Sequence, residues 1–121
     1  MKIEEGTTTP LVNLSMDEGV IEIKGKSIPE NAVRFYEPVL SWLDNYFKAP
    51  LPETKFMLEM EYFNTSTSGL FLKMLNRASK EANHTKIKVD WIVNNNDEDM
   101  IEAGEDFALI VRDVQFNIVN R

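Results

Sequence analysis

An unbroken run of hydroxyl side chains is the part of this chain best suited to chemistry. Thr65, Ser66, Thr67 and Ser68 directly follow Asn64, and each hydroxyl can accept a phosphoryl group. If a helix begins here, its free N–H groups and the positive end of its dipole favour an added negative charge. The same residue types also cap helices. The run therefore indicates a helix cap alone, or a cap that also carries a modification site.

The segments on either side of the run predict a strand followed by a helix. Residues 55–63 alternate in the manner of a strand. One face carries Phe56, Leu58, Met60 and Tyr62, and the other carries Met57, Glu59, Glu61 and Phe63. Helical spacing extends over residues 70–82, with Lys73 and Arg77 turned outward. The hydroxyls are thus expected at a strand-to-helix corner.

The chain before this corner predicts a tail, a hairpin and a helix. Residues 1–8 are expected to form a flexible N-terminal tail. Residues 11–14 and 20–24 flank a turn sequence and are expected to pair as a hairpin. A capping-box pattern over residues 27–30 predicts the start of a helix, which Pro38 is expected to kink or split.

The chain after the corner continues the alternation of strands and helices. Strands are expected at residues 87–93 and 115–119, with a helix that begins near Asp97 between them. Such alternation favours a partly parallel sheet, because parallel strands need crossovers of about this length. The expected fold is a single α/β domain over residues 9–121, with a mixed, mostly parallel sheet of about five strands and helices packed on it. Sites in open sheets form beyond the carboxyl ends of the strands, where residues 64–68 are expected to lie.

Composition excludes several classes of protein. The 121 residues include 13 basic and 20 acidic side chains, and the net charge of -7 opposes binding to nucleic acid or to an anionic membrane surface. The chain has no cysteine, hence no disulfide, thiolate metal site or cysteine nucleophile. It shows neither an export leader nor a membrane-spanning apolar run, so we expect a cytoplasmic protein.

The candidate catalytic and metal-binding motifs are incomplete. Gly25-Lys26-Ser27 resembles the end of a phosphate-binding loop, but Val20 stands where that loop needs its first glycine. His84 is the single histidine, and residues 95–99 lack the glycine and glutamate of a calcium loop. We therefore expect no cofactor and no metal. A small metabolite-binding domain or enzyme that uses the strand-end crevice near Thr65 remains the alternative.

Residue blocks at 27–31, 35–43 and 62–68 resemble the SiaC family of bacterial regulatory phosphoproteins. They read Ser-Ile-Pro-Glu-Asn, Phe-Tyr-Glu-Pro-Val-Leu-Ser-Trp-Leu and Tyr-Phe-Asn-Thr-Ser-Thr-Ser, in the order and spacing of that family. The similarity extends over nearly the whole chain after the tail. The resemblance implies a STAS-like fold, related to anti-sigma-factor antagonists, and a protein that is not an enzyme.

The same resemblance implies a partner switch. A serine/threonine kinase of the histidine-kinase-like ATPase type phosphorylates one threonine, and a PP2C-type phosphatase removes the phosphate. The unmodified form binds and activates an effector such as a diguanylate cyclase. The family's phosphothreonine maps onto Thr65, with Ser66 and Thr67 as alternatives, and a constitutive adaptor would share the same fold. The expected partner-binding residues are Asn64, Thr65, Ser66, Thr67, Ser68, Lys73 and Arg77.

Overall fold

The computed structural model describes all 121 residues as one six-stranded sheet with three helices. The elements in chain order are β1 (Lys2–Ile3), β2 (Leu11–Ser15), β3 (Val20–Ser27), α1 (Ala32–Tyr46), β4 (Glu53–Phe63), α2 (Thr65–Ser79), β5 (Lys86–Val93), α3 (Glu98–Ile110) and β6 (Gln115–Asn120). The strands lie in sequential order; β1 to β3 pair antiparallel, and β3 to β6 pair parallel. The predicted α/β fold with a mixed, mostly parallel sheet is confirmed, with six strands.

All three helices cover one face of the sheet. Right-handed crossovers between strands in sequential order place every helix on the same side. A single cluster of 25 buried residues lies between the two layers. The ring centroid of Trp91, a member of this cluster, lies 5.8 Å from that of Phe63, 6.4 Å from that of Phe71 and 5.3 Å from that of Phe107. This aromatic cluster joins α2 and α3 to the ends of β4 and β5.

The N-terminal residues differ from the expected flexible tail. Lys2–Ile3 pair with β2, and the amino group of Met1 donates to the carbonyl oxygen of Leu14 at 2.8 Å. The N–H of Ile28 also donates to the carbonyl oxygen of Thr8 at 2.9 Å. These contacts are made by backbone groups, so the pattern of apolar side chains gave no sign of them.

Helix α1 begins later than the capping-box pattern predicts. Its N-cap is Asn31, whose side-chain oxygen accepts a hydrogen bond from the N–H of Arg34 at 3.0 Å. Ser27 stays in β3 and caps no helix. Pro38 does not split the helix, because α1 continues through it over 15 residues; the alternative, a kink at Pro38, stays a prediction. Pro38 is exposed, so water can replace the hydrogen bond that proline removes.

Strand β4 contains a bulge that reverses its alternation. The register with β3 shifts after Gly25, and Glu61 is the extra residue. Tyr62 therefore turns outward and is 54% exposed, whereas Phe63 turns inward onto Trp91. The prediction that Tyr62 shares a face with Met60 is wrong, because strict alternation cannot represent an inserted residue. The bulge immediately precedes the hydroxyl run.

Candidate functional site

The hydroxyl run lies where β3 and β4 end and α2 begins. Ser27 and Phe63 are paired at the carboxyl ends of these parallel strands. Asn64 then leaves the sheet as the N-cap of α2, and its side-chain oxygen accepts a hydrogen bond from the N–H of Thr67 at 2.9 Å. The structure thus confirms the strand-to-helix corner and assigns the cap to Asn64. None of the hydroxyls is therefore needed to cap α2.

Thr65 and Ser66 occupy the first two positions of α2 with exposed side chains. Their backbone N–H groups donate no hydrogen bond within the chain, as is usual in a first helical turn. Unpaired N–H groups and the helix dipole together stabilise a nearby negative charge. A phosphoryl group on either hydroxyl is therefore compatible with the fold.

Thr67 is fully buried and belongs to a chain of hydroxyls. Its Oγ1 donates to the carbonyl oxygen of Ser27 at 3.1 Å and lies 2.9 Å from the Ser27 Oγ. That Oγ in turn lies 2.7 Å from the Tyr36 hydroxyl. The donors are satisfied if Tyr36 donates to Ser27 and Ser27 donates to Thr67. Thr67 is therefore inaccessible in the folded chain, which corrects its place among the expected partner-binding and modifiable residues.

The hydroxyl chain connects the corner to helix α1 through Tyr36. Burial raises the pKa of Tyr36 to about 12, and the hydrogen bond with Ser27 offsets part of this effect. The phenol thus stays protonated and can donate to Ser27 throughout the physiological range. Two helices and one strand end are held together by these side chains.

Tyr36→Phe is expected to reduce the loss of stability between about pH 10 and pH 12. The pKa of tyrosine in an unfolded chain is about 10, so the folded chain holds this proton more tightly. The resulting stability is complete below about pH 10 and is lost as the pH rises through the folded pKa. A shift of two pKa units corresponds to roughly 2–3 kcal/mol of the free energy of unfolding. Denaturant unfolding of both proteins at pH values of about 10 and 12 measures this loss of stability. If the native chain and Tyr36→Phe lost equal free energy of unfolding, the raised pKa of Tyr36 would be contradicted.

Of the two basic residues expected to bind a partner, Lys73 forms no ion pair within the chain, whereas Arg77 is already paired. Lys73 is exposed and has no carboxylate within 4.0 Å. The Arg77 Nε lies 2.9 Å from Asp44 Oδ1, its Nη1 lies 2.7 Å from Glu81 Oε1, and its guanidinium covers the Phe47 ring at 5.1 Å. The hydrogen bond from Arg77 lowers the pKa of Glu81. Arg77 therefore joins α1 to α2.

Two grooves flank helix α2. The groove between α1 and α2 has a volume of about 510 Å³ and is lined by Leu40, Asp44, Gly69, Leu72, Lys73, Asn76, Arg77 and Lys80. The groove between α2 and α3 has a volume of about 290 Å³ and is lined by Phe63, Ser68, Leu72, Ala103, Asp106, Phe107 and Ile110. Leu109 and Ile110 at the end of α3 are 84% and 54% exposed.

A model of the SiaC family of regulatory phosphoproteins matches residues 3–121. The chain belongs to the SiaC family. This match confirms the resemblance noted in the sequence over almost the full length of the chain. No protein in a search of curated proteins matches it.

Solved structures of SiaC from Pseudomonas aeruginosa share the fold. A chain in the crystal structure of the diguanylate cyclase SiaD in complex with its activator SiaC has a TM-score of 0.93 and 20% identity, over 100% of this chain and 99% of that one. Apo-SiaC has a TM-score of 0.84 and 19% identity, over 100% and 97%. A further SiaC structure has a TM-score of 0.86 and 18% identity, over 100% and 98%.

The single histidine of this SiaC-family chain lies apart from the corner. The exposed His84 has its Nδ1 3.1 Å from Glu81 Oε2, beyond the end of α2. No group of three or more His, Asp or Glu side chains is placed to hold a metal ion. A strand-end crevice is lined by Met60, Glu61, Asn94, Asn95 and Asp97, a set without a histidine or lysine. No helix is long and apolar enough to cross a membrane.

Sequence reasoning missed the supports of the corner in this SiaC-family chain. The capping-box pattern assigns Ser27 to a helix start, and it predicts neither the hydrogen bonds between Ser27 and Thr67 nor the one between Tyr36 and Ser27. Ser27 continues the alternation of Ile21 and Ile23 on the buried face of β3, and a polar residue at such a position was the one available signal. The exposed Leu109 and Ile110 were also missed; the signal for Leu109 was its spacing of two residues from Phe107, which turns it away from the buried face of α3.

Proposed function

We propose that this chain is a partner switch controlled by phosphorylation of Thr65. The observation that carries the proposal is the exposed Thr65 hydroxyl at the first position of α2, beside unpaired backbone N–H groups. Membership of a family of regulatory phosphoproteins supports a role that depends on phosphate. Burial of Thr67 excludes it from the accessible hydroxyls, and the resemblance to the family favours Thr65 over Ser66.

The proposed cycle has three partners. A serine/threonine kinase of the histidine-kinase-like ATPase type adds the phosphate, and a PP2C-type phosphatase removes it. The unmodified chain binds an effector such as a diguanylate cyclase, in keeping with the SiaC–SiaD complex of Pseudomonas aeruginosa. The chain itself performs no catalysis in this cycle. These partners use cytoplasmic nucleotides, so we place the switch in the cytoplasm.

The phosphate acts on the interface and leaves the fold intact. It adds a charge of about -1.5 to -2, which the N–H groups at the start of α2 can stabilise in the free protein. In a complex the same group has to lose its water, and burying a charge without a partner costs several kcal/mol. A micromolar complex has about 8 kcal/mol of binding free energy. The penalty therefore removes most of the affinity.

Binding of the two forms to one effector tests the proposal. The probe is the diguanylate cyclase of the same organism, titrated with the unmodified chain and with the kinase-treated chain. We expect the modified chain to bind at least about tenfold more weakly, a loss of about 1.4 kcal/mol or more. Mass spectrometry locates the phosphate. Equal affinity of both forms would eliminate the switch, and absence of phosphate would leave a constitutive adaptor.

A further inference from the structure

Gly69 lies in α2 one turn after Thr65, and nothing within the fold requires a glycine there. A Cβ atom at this position would meet no atom within 4 Å, and its φ does not fall in the left-handed region. Glycine is the poorest helix former after proline. The helix therefore loses stability at an exposed position. Glycine also permits close approach of another backbone, which supplies a reason for it.

The groove that contains Gly69 has a positive charge, although the chain as a whole is acidic. Lys73, Arg77 and Lys80 line it together with one carboxylate, Asp44. Arg77 is paired, but Lys73 and Lys80 have no carboxylate within 4.0 Å. These two lysines are unpaired although the protein has an excess of carboxylates and a net charge of -7. The groove therefore offers unpaired positive charge to a partner.

We propose that an acidic segment of the effector crosses α2 at Gly69. Its backbone approaches closest at the glycine, and its carboxylates pair with Lys73 and Lys80. Leu40 and Leu72 supply apolar surface in the same groove. The inference rests on the proposed function for the identity of the partner, and it adds the location and the charge of the segment that is bound.

The position of Thr65 relative to this crossing gives the phosphate a second effect. Thr65 precedes Gly69 by four residues, so both lie on one face of α2, roughly 6 Å apart along its axis. A phosphate on Thr65 would face the acidic segment across the interface. Repulsion between like charges would then add to the cost of desolvation, and both oppose binding.

Peptides of opposite charge test the surface directly. The probe is a synthetic peptide of roughly 20 residues that carries leucines and a few glutamates separated by glutamine, so that repulsion between neighbouring carboxylates stays small. The matched probe has lysine in place of every glutamate. We expect the acidic peptide to cause saturable amide shifts at Gly69, Lys73 and Asn76 of the isotope-labelled chain. Absence of such shifts, tighter binding of the basic peptide, or shifts centred on Leu109 and Ile110 would each overturn the inference.

Substitution at Gly69 tests the crossing point. Gly69→Leu should weaken binding of the acidic peptide at least tenfold, because its side chain occupies the approach. Ala108→Leu adds a large apolar side chain at an exposed position of α3 that lines neither groove, and should leave binding unchanged. Equal affinities for Gly69→Leu and the native chain would refute the crossing. Thermal unfolding confirms that both variants are folded.

This experiment separates the inference from the proposed function. The peptides require neither kinase nor phosphate. Binding at Gly69 in a chain that no kinase modifies would refute the switch and preserve the docking surface. If phosphorylation controlled effector binding but Gly69→Leu bound the effector as well as the native chain does, the docking surface would be refuted and the switch preserved.

Discussion

Thr65→Ala is expected to abolish phosphate incorporation by the cognate kinase and to preserve effector binding. The Thr65 hydroxyl is exposed and makes no hydrogen bond in the fold, and the cap of α2 is provided by Asn64. Removal of the Thr65 hydroxyl should therefore change the free energy of unfolding by no more than about 0.5 kcal/mol. Mass spectrometry after kinase treatment measures the incorporation, and titration with the effector measures the affinity.

Ser66→Ala is the matched control for this change. Ser66 is the adjacent exposed hydroxyl in the same helical turn, so its loss should alter neither incorporation nor binding. Thr65→Glu should weaken effector binding, because a carboxylate reproduces part of the charge of a phosphate. Phosphate on Ser66 with Thr65 unmodified would show that the site is misassigned. Thr67 is unsuitable as a control, since its replacement would leave the hydroxyl chain to Ser27 incomplete.

Gly104→Ala is expected to destabilise the chain by about 1–3 kcal/mol. A Cβ atom on Gly104 would lie 2.5 Å from Trp91 Cδ1 and 2.8 Å from Trp91 Nε1. The ring cannot simply turn away, because Nε1 donates to the carbonyl oxygen of Met100 at 2.8 Å and the ring packs against Phe107. Strain in the aromatic cluster should exceed the gain in helix propensity. Denaturant unfolding, with the near-ultraviolet signal of tryptophan as a second measurement, would detect the change.

Gly69→Ala provides the same chemical change with the opposite expected sign. Its methyl group meets no atom, so the gain in helix propensity of about 0.5–1 kcal/mol should appear in full. The pair separates the effect of glycine on the helical backbone from the effect of packing. A loss of stability at Gly69, or a gain at Gly104, would contradict the surroundings described for that position.

The periodic elements could be predicted because each buries one regular face. Helix α2 keeps Leu70, Phe71 and Met74 in the core, and β5 keeps Val89 and Trp91 there, as their spacing indicated. Prediction failed where backbone geometry decided the result. The pairing of β1 depends on main-chain hydrogen bonds, and the bulge at Glu61 inserts a residue that no alternation can anticipate.

The sequence by itself determined the family, the α/β order of the elements and the run of hydroxyls at the start of a helix. These properties depend on residue types and on spacing within short segments. Only the tertiary structure decided which hydroxyls are accessible. Thr67 is buried because Ser27, 40 residues earlier, ends the neighbouring strand within hydrogen-bond distance of it. Contacts across such a separation follow from the pairing of β3 with β4, which brings the two residues to the same edge of the sheet.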